Sequence, residues 1–278
     1  MATFSEIQNL KSHVQNIRIN ILKSLAEAGS GHTGGSLGLA DIFTALYFHV
    51  MNHDPENPGW EERDRMVLSI GHVAPVLYAT LAEAGYFAEE ELLTLRKLGS
   101  RLQGHPGRDH GLPGLELSAG SLGQGLSVAV GMALAAKADN KSHRVFCING
   151  DGELQEGSIW EAAMSAGHYK LDNLISIVDR NHVQIDGPTS QVMEIEPLKD
   201  KFRSFGWDVF ECQGNDMEHI LKTLTLATRS AGKPTVIIAE TTMGKGVPEI
   251  EGDYRWHGKP PKKEQRDAFI NQVKNNLS

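Results

Sequence analysis

The stretch HRVFCINGDGELQEGSIWEAAMSAGHYKLDNLISIVDRNHVQIDG, residues 143–187, decides the fold. His143–Ile148 and Asn173–Val178 are short, β-branched and apolar on both faces, and Glu153–Tyr169 between them carries a helical pattern. Near-continuous apolar strands separated by a helix indicate a parallel sheet buried under helices on both faces. The same unit recurs outward. Arg65–Ile70, Trp207–Cys212 and Pro234–Ala239 read as further strands, with helices expected at Ala74–Ala84, Leu122–Ala138, Leu198–Phe205 and Asp216–Ser230. Right-handed crossovers then predict an α/β fold, a doubly wound parallel sheet with helices on both faces. Ahead of it, Ile7, Leu10, Val14, Ile17, Ile21 and Leu25 mark one face of a long first helix. Thr3 and Glu6 have capping-box spacing at its start, and Gly29 ends it.

The 278 residues allow one or two domains. No composition shift marks a boundary, so the expectation is one domain over 1–278, with a C-terminal extension from about Gly244. Lys+Arg 27 against Asp+Glu 35 gives a net charge of −8, which argues against nucleic acid as a partner. Cys147 and Cys212 fall inside expected strands and cannot make a disulfide framework. The N-terminus lacks a signal-peptide pattern, and no apolar run is long enough to span a membrane. A soluble cytoplasmic protein is expected.

In an open parallel sheet, ligands bind beyond the carboxyl ends of the strands. Gly120-Ser-Leu-Gly-Gln-Gly125 opens a helix there, and unpaired N–H groups at a helix start attract anions. Glycines that only permit a tight turn explain the loop equally well. Gly150-Asp-Gly-Glu153 and, thirty positions beyond Asp151, Asn181 say more. One βα unit links them, so Asp151 and Asn181 end neighbouring strands over one crevice. A carboxylate, a side-chain amide and a backbone carbonyl are hard oxygen donors for Mg²⁺ or Ca²⁺, with positions left for diphosphate oxygens and a water. Gly152 would let the diphosphate approach the backbone. The competing account is an Asp-Gly turn and a solvent-facing Asn. His32, His72, His105 and His257 each stand beside a glycine, and histidine can donate to phosphates or move protons near neutral pH. Zinc is a poorer explanation, since no CxxC or HxxxH pair exists.

These residues name a family. The spacing of Asp151 and Asn181 matches the thiamine-diphosphate fingerprint, and the chain resembles the N-terminal, diphosphate-binding part of transketolase. The motifs are SGHTGGSLGLADIFTALYF (30–48), LSIGHVAPVLYATLAEAGY (68–86), GHPGR (104–108), ELSAGSLGQGLSVAVGMALAAK (116–137), residues 149–187 and TTMGKGVPEIEGDYRWHGK (241–259). The resemblance implies thiamine diphosphate as cofactor. It implies Asp151, Asn181 and the Val183 carbonyl as metal ligands, and His72, Gly152 and His257 as diphosphate contacts. Gly120 and Leu122 would line the cofactor rings, and Lys245 would stand near the diphosphate. His32, His105 and His257 are implied to bind the donor sugar, and Glu156 to be a buried carboxylate joining two cofactor sites across a dimer interface.

The activity so implied moves a two-carbon ketol unit from a ketose, or ketose phosphate, to an aldose, with a pentose-phosphate role as the default. Transketolases continue into a pyrimidine-binding and a C-terminal domain, so the expectation is a split enzyme. This chain would be its N-terminal subunit, with the rest carried by a companion subunit in an α₂β₂ heterotetramer. A non-catalytic cofactor-binding module and a subunit of another ketol-transferring thiamine enzyme, such as deoxyxylulose-phosphate synthase, are the alternatives.

Overall fold

A computed structural model describes residues 2–275. Helix α1 (Phe4–Ala28) opens on a capping box: the Thr3 N–H donates to Glu6 Oε2 at 2.6 Å and the Glu6 N–H to Thr3 Oγ1 at 3.2 Å. It stops at Gly29, whose φ of 61° suits glycine. Two short helices, α2 (Thr33–Gly38) and α3 (Ala40–Ala45), lead to a π-helical turn at Leu46–Val50. Then come β1 (Arg65–Leu68), α4 (Ala74–Glu83), α5 (Gly125–Ala138), β2 (Val145–Gly150), α6 (Gly157–His168) and β3 (Leu174–Arg180). A hairpin of β4 (Val183–Gln184) and β5 (Gly187–Pro188) leads to α7 (Thr189–Val192) and α8 (Leu198–Ser204). The chain continues through β6 (Asp208–Gln213), α9 (Met217–Ala227), β7 (Thr235–Glu240) and α10 (Lys263–Asn275).

Five strands form one parallel sheet in the order β1-β2-β3-β7-β6. The first three add side by side. The chain then skips to the far edge for β6 and returns to fill the gap with β7, so the direction of winding reverses at that edge. Alternation along each strand splits the core in two. Phe146, Ile148, Ile175, Ile177 and Ile237 pack with α1, α3, α4 and α9. Val145, Cys147, Leu174, Val178, Val236 and Ile238 pack with α5, α6 and α8. The expected double winding is therefore observed. Cys147 and Cys212 are buried, unbridged thiols.

Two expected helices begin later than the sequence pattern suggests. The Glu153–Tyr169 segment is a 3₁₀ turn, Gly152–Gln155, followed by α6 from Gly157. The break falls at Glu156, whose backbone is extended (ψ 128°), because the Glu153 side chain is drawn inward by buried hydrogen-bond donors. Likewise α5 starts at Gly125 rather than Leu122, since Gly123 has φ +82° and cannot continue a helix.

After β7 the chain lies across α2. The space a Cβ on Gly34 would need is filled by Met243 and the Trp256 carbonyl, and that on Gly38 by the Thr242 carbonyl. Thr33 Oγ1 donates to the Lys259 carbonyl at 2.7 Å. Helix α10 then buries Phe269 and Val273 against α1. No described helix is long and apolar enough to cross a membrane.

Candidate active site

Registry places the metal-ligand candidates together. Gly150 of β2 pairs with Asp179 of β3, so Asp151 and Asn181 leave adjacent strand ends. Asp151 is buried, and its carboxyl is raised by burial against the opposing pull of Arg180 and two backbone donors. Its Oδ1 accepts the Gly152 N–H at 2.7 Å; its Oδ2 accepts the His182 N–H at 2.7 Å and Arg180 Nη1 at 3.0 Å. Arg180 is itself buried, and it also reaches Thr189 Oγ1 and Glu196, each at 3.0 Å. Asn181 is not the free solvent-facing amide of the alternative account. Its Nδ2 donates to Asp179 Oδ2 at 2.8 Å, and its Oδ1 accepts the Val183 N–H at 3.0 Å. Asp179 is wholly enclosed, also bonded to Thr241 Oγ1, and burial together with nearby Asp151 pushes its carboxyl up to about 7.

The four glycine-flanked histidines converge from four separate segments. His32 lies 5.1 Å from His72, 5.6 Å from His257 and 6.3 Å from His105 between ring centroids, and His72 lies 5.0 Å from His257. The α2 start brings His32, the turn after β1 brings His72, the GHPG loop brings His105, and the segment across α2 delivers His257. Burial lowers the His32 ring to about 4, helped by His257, Arg96 and His105, and lowers His72 to about 3, helped by His257, His32 and His105. His257 is lowered by burial, and His105, the most open of the four, by partial burial and Arg96. All four rings are therefore neutral at pH 7, each with one N–H donor and one lone pair. His32 Nδ1 is buried with no hydrogen-bond partner among the described residues. Such an orphan asks for a partner that the chain alone does not supply.

The Gly120–Gly125 loop departs from the expected anion site. Its Gly123 N–H already donates to Glu153 Oε1 at 2.8 Å, and its Gly125 N–H to Ser69 Oγ at 3.0 Å. Ser69 Oγ in turn donates to Glu153 Oε1 at 2.5 Å, while Asn149 Nδ2 and the Gly150 N–H reach Oε2 at 2.9 and 3.2 Å. The protein's own carboxylate thus takes the place a bound anion would have had. Gly120 stays open, its Cβ direction 3.8 Å from the His105 ring, and Leu122 is half-buried beside the core.

Two expected residues stand elsewhere. Lys245 lies in a separate cleft with Arg18 and Asp41 on the α1 side, its Nζ 3.5 Å from Glu251, and does not join the histidines. Lys245 sits between two glycines of positive φ, Gly244 and Gly246. Glu156 is exposed, not buried, on this chain, at the α6 start beside Gly123. Conversely, Glu153, Ser69, Arg180 and Arg96 carry more of the site than their sequence signals. Arg96, in a left-handed conformation (φ 62°), ties two histidine-bearing turns together through Ser30 Oγ (3.1 Å) and the Gly104 carbonyl (3.5 Å).

Thiamine diphosphate and a divalent cation would meet a matching donor set. Asp151 Oδ1 accepts a single hydrogen bond, Asn181 Oδ1 and the Val183 carbonyl are hard oxygens beside it, and the histidine cluster contains an unpartnered ring nitrogen. No cluster of three or more His, Cys, Asp or Glu among the described residues forms a metal site of the all-protein kind.

A doubly wound sheet with an acid and an amide at neighbouring strand ends, together with a cluster of four neutral histidines, defines an α/β protein of the ligand-binding kind. The family described as transketolase, thiamine diphosphate binding domain, matches residues 9–277, and the chain belongs to the transketolase family. It is 42% identical to one of the subunits of the apulose-4-phosphate transketolase of Phocaeicola vulgatus, over 96% of this chain and 95% of that one. It is 44% identical to the 6-deoxy-6-sulfo-D-fructose transketolase subunit SqwG of a Clostridium species, over 95% of this chain and 96% of that one. The crystal structure of transketolase from Campylobacter jejuni superposes with a TM-score of 0.88 at 38% identity, covering 99% of this chain but 43% of that one.

Proposed function

We propose that this chain is the diphosphate-binding subunit of a two-chain transketolase, moving a two-carbon ketol unit between sugars or sugar phosphates. Two convergences carry this reading: four neutral histidines gathered around His32, one of them just past β1, and Asp151 and Asn181 just past the neighbouring strands β2 and β3. Asp151, Asn181 and the Val183 carbonyl would hold Mg²⁺ or Ca²⁺, and Gly152, His72 and His257 the diphosphate. Gly120 and Leu122 would face the cofactor rings. Thiamine diphosphate, when bound, supplies a carbon nucleophile and an electron sink. The chain's own contribution is orientation and proton handling. A neutral His32 or His105 can donate its N–H to a sugar hydroxyl or take that hydroxyl's proton on the free lone pair, which a ring charged at pH 7 could not. His257, shared between the histidine cluster and the segment over α2, would bridge diphosphate and sugar.

A second chain is part of this reading. The relatives named as transketolase subunits match this chain over nearly their whole length, and the full transketolase is more than twice as long. Helix α5 (GLSVAVGMALAAKA) has one charged residue, yet Ser127, Gly131 and Ala135 are exposed on it. A helix apolar all round belongs under other protein, and Glu156 at the neighbouring α6 start would be buried with it. We take the assembly to be α₂β₂ and, given two unbridged thiols, cytoplasmic; a pentose-phosphate role is the default.

The test is purification from the native source with thiamine diphosphate and Mg²⁺ present, then intact masses and a two-carbon transfer assay on the complex. A stoichiometric second chain and ketose-dependent transfer are expected. A lone chain that binds the cofactor without turnover would overturn the enzyme reading.

A further inference from the structure

Glu153 is about as buried as Asp151, and its partners among the described residues are hydrogen-bond donors rather than cations. Its two oxygens accept four hydrogen bonds, from Ser69 Oγ, the Gly123 N–H, Asn149 Nδ2 and the Gly150 N–H. These donors come from three segments: the end of β1, the glycine loop before α5, and the end of β2. Each segment carries a residue assigned to the cofactor site: His72 follows Ser69, Gly120 and Leu122 share the loop with Gly123, and Asp151 follows Gly150. The loop is held on its other side as well, because Ser158 Oγ donates to the Gly123 carbonyl at 2.9 Å. Gly125 and Gly123 have no room for a side chain. A Cβ would lie 2.4 Å from Ser69 Cβ at the first and 2.7 Å from Glu156 Cβ at the second. The loop therefore has one seat, and the Glu153 carboxylate fixes its height above β2.

We propose that Glu153 is a positioning residue that locks the ring-side loop at Gly120–Gly125 to the diphosphate-side turn at Asp151–Gly152, so that one thiamine diphosphate can engage both. This role rests on the cofactor assignment made under the proposed function. A cofactor held at two ends needs those ends at a set separation, and a carboxylate does this as no neutral side chain can: all four of its neighbours are donors. A glutamine at 153 would turn an NH₂ toward either the Asn149 and Gly150 donors or the Ser69 and Gly123 donors. The geometry then loosens, although volume and shape are unchanged.

The experiment uses the full chain with the second chain that co-purifies with it, and compares wild type, Glu153→Gln, Ser69→Ala and the double variant Glu153→Gln with Asn149→Asp. Thiamine diphosphate is titrated with Mg²⁺ by calorimetry, and initial rates give the half-saturating concentrations of cofactor and of donor ketose. Glu153→Gln is expected to weaken cofactor binding at least tenfold, Ser69→Ala severalfold, and both to leave the donor-ketose KM at saturating cofactor within about twofold. The double variant, which gives the glutamine amide an acceptor at 149, is expected to recover a large part of the affinity. A variant that merely destabilised the fold would lower active protein without shifting the half-saturating cofactor concentration, and that result overturns the proposal. So does cofactor affinity within twofold of wild type in Glu153→Gln. Absence of binding in the wild type would instead overturn the cofactor assignment itself.

Discussion

Arg180 and Asp151 form a buried ion pair, Nη1 to Oδ2 at 3.0 Å, across the carboxyl ends of neighbouring strands β3 and β2. Both side chains are almost fully enclosed, and Asp151 is the acid assigned to the cation. The guanidinium therefore offsets the carboxylate's charge within the chain itself. Removing one partner of such a pair strands the other, at a cost of roughly 3–5 kcal/mol. Arg180→Met should lower the unfolding free energy of the cofactor-free chain by about that amount. Thiamine diphosphate with Mg²⁺ should restore more stability to the variant than it adds to wild type, because the cation then supplies the missing charge. Chemical denaturation with and without the pair of ligands checks this; equal gains in both proteins would contradict it.

Asp151→Asn tests the metal role directly. A ligand at a hundred times its dissociation constant stabilises the folded state by about 2.7 kcal/mol, and wild type should show a melting shift of that order with thiamine diphosphate and Mg²⁺. The variant should show almost none with either Mg²⁺ or Ca²⁺. Asn181→Ala should act likewise, since its amide oxygen is the second hard donor. A full ligand-induced shift in Asp151→Asn would remove the site from Asp151.

The double winding and the strand ends were legible in sequence because apolar alternation and glycine turns are local patterns. Every predicted strand is found within two or three residues of its expected limits, and the capping box at Thr3–Glu6 is formed as its spacing implies. The histidines could be singled out by their glycine neighbours, but only the fold brings the other three, from distant segments, within about 6 Å of His32. Glu153 and Arg180 were not legible. A charged residue at a strand end reads as solvated, and burial with its hydrogen-bond partners is a tertiary fact. Lys245 stands apart from the histidines although its motif neighbours fold over α2: it lines a cleft with Arg18 and Asp41 and pairs with Glu251. Glu156 depends on a surface that a single chain leaves open.

The neutral histidines predict a stability that is sensitive to acid. A His72 ring lowered to about 3 in the folded chain, against about 6.5 unfolded, binds fewer protons when folded throughout that interval. Its contribution to stability is thus complete above about pH 6.5 and is lost progressively as pH falls toward 3. Asp179, raised to about 7 from an ordinary 3.8, works the other way between about pH 7 and 3.8, since its folded form takes up the proton first. The net slope of wild type mixes the two, so the difference between proteins is the useful quantity. His72→Asn should lose less stability than wild type between pH 7.5 and 5.5, measured without ligand. Identical pH profiles would mean that His72 titrates normally.

One substitution, made at two glycines, should have opposite signs. Gly167 lies in the last turn of α6, where a Cβ would sit 1.8 Å from the Phe205 carbonyl oxygen, a backbone atom that cannot swing aside. Gly131 lies in the middle of α5 with nothing within 4 Å of its Cβ direction. Gly167→Ala must push the α8–β6 connection away from α6, and a backbone shift in a packed core costs on the order of 1–3 kcal/mol or more. Gly131→Ala meets no neighbour and removes the entropy penalty of a helical glycine, which is about 1 kcal/mol in favour of alanine. The isolated chain should therefore melt lower with the first change and higher with the second. In the assembled enzyme the second gain should shrink or reverse, because the added methyl group stands on the open face of α5 assigned to the other chain. Size-exclusion of both variants with the companion separates these effects: assembly unchanged and stability raised for Gly131→Ala would take that face of α5 out of the interface.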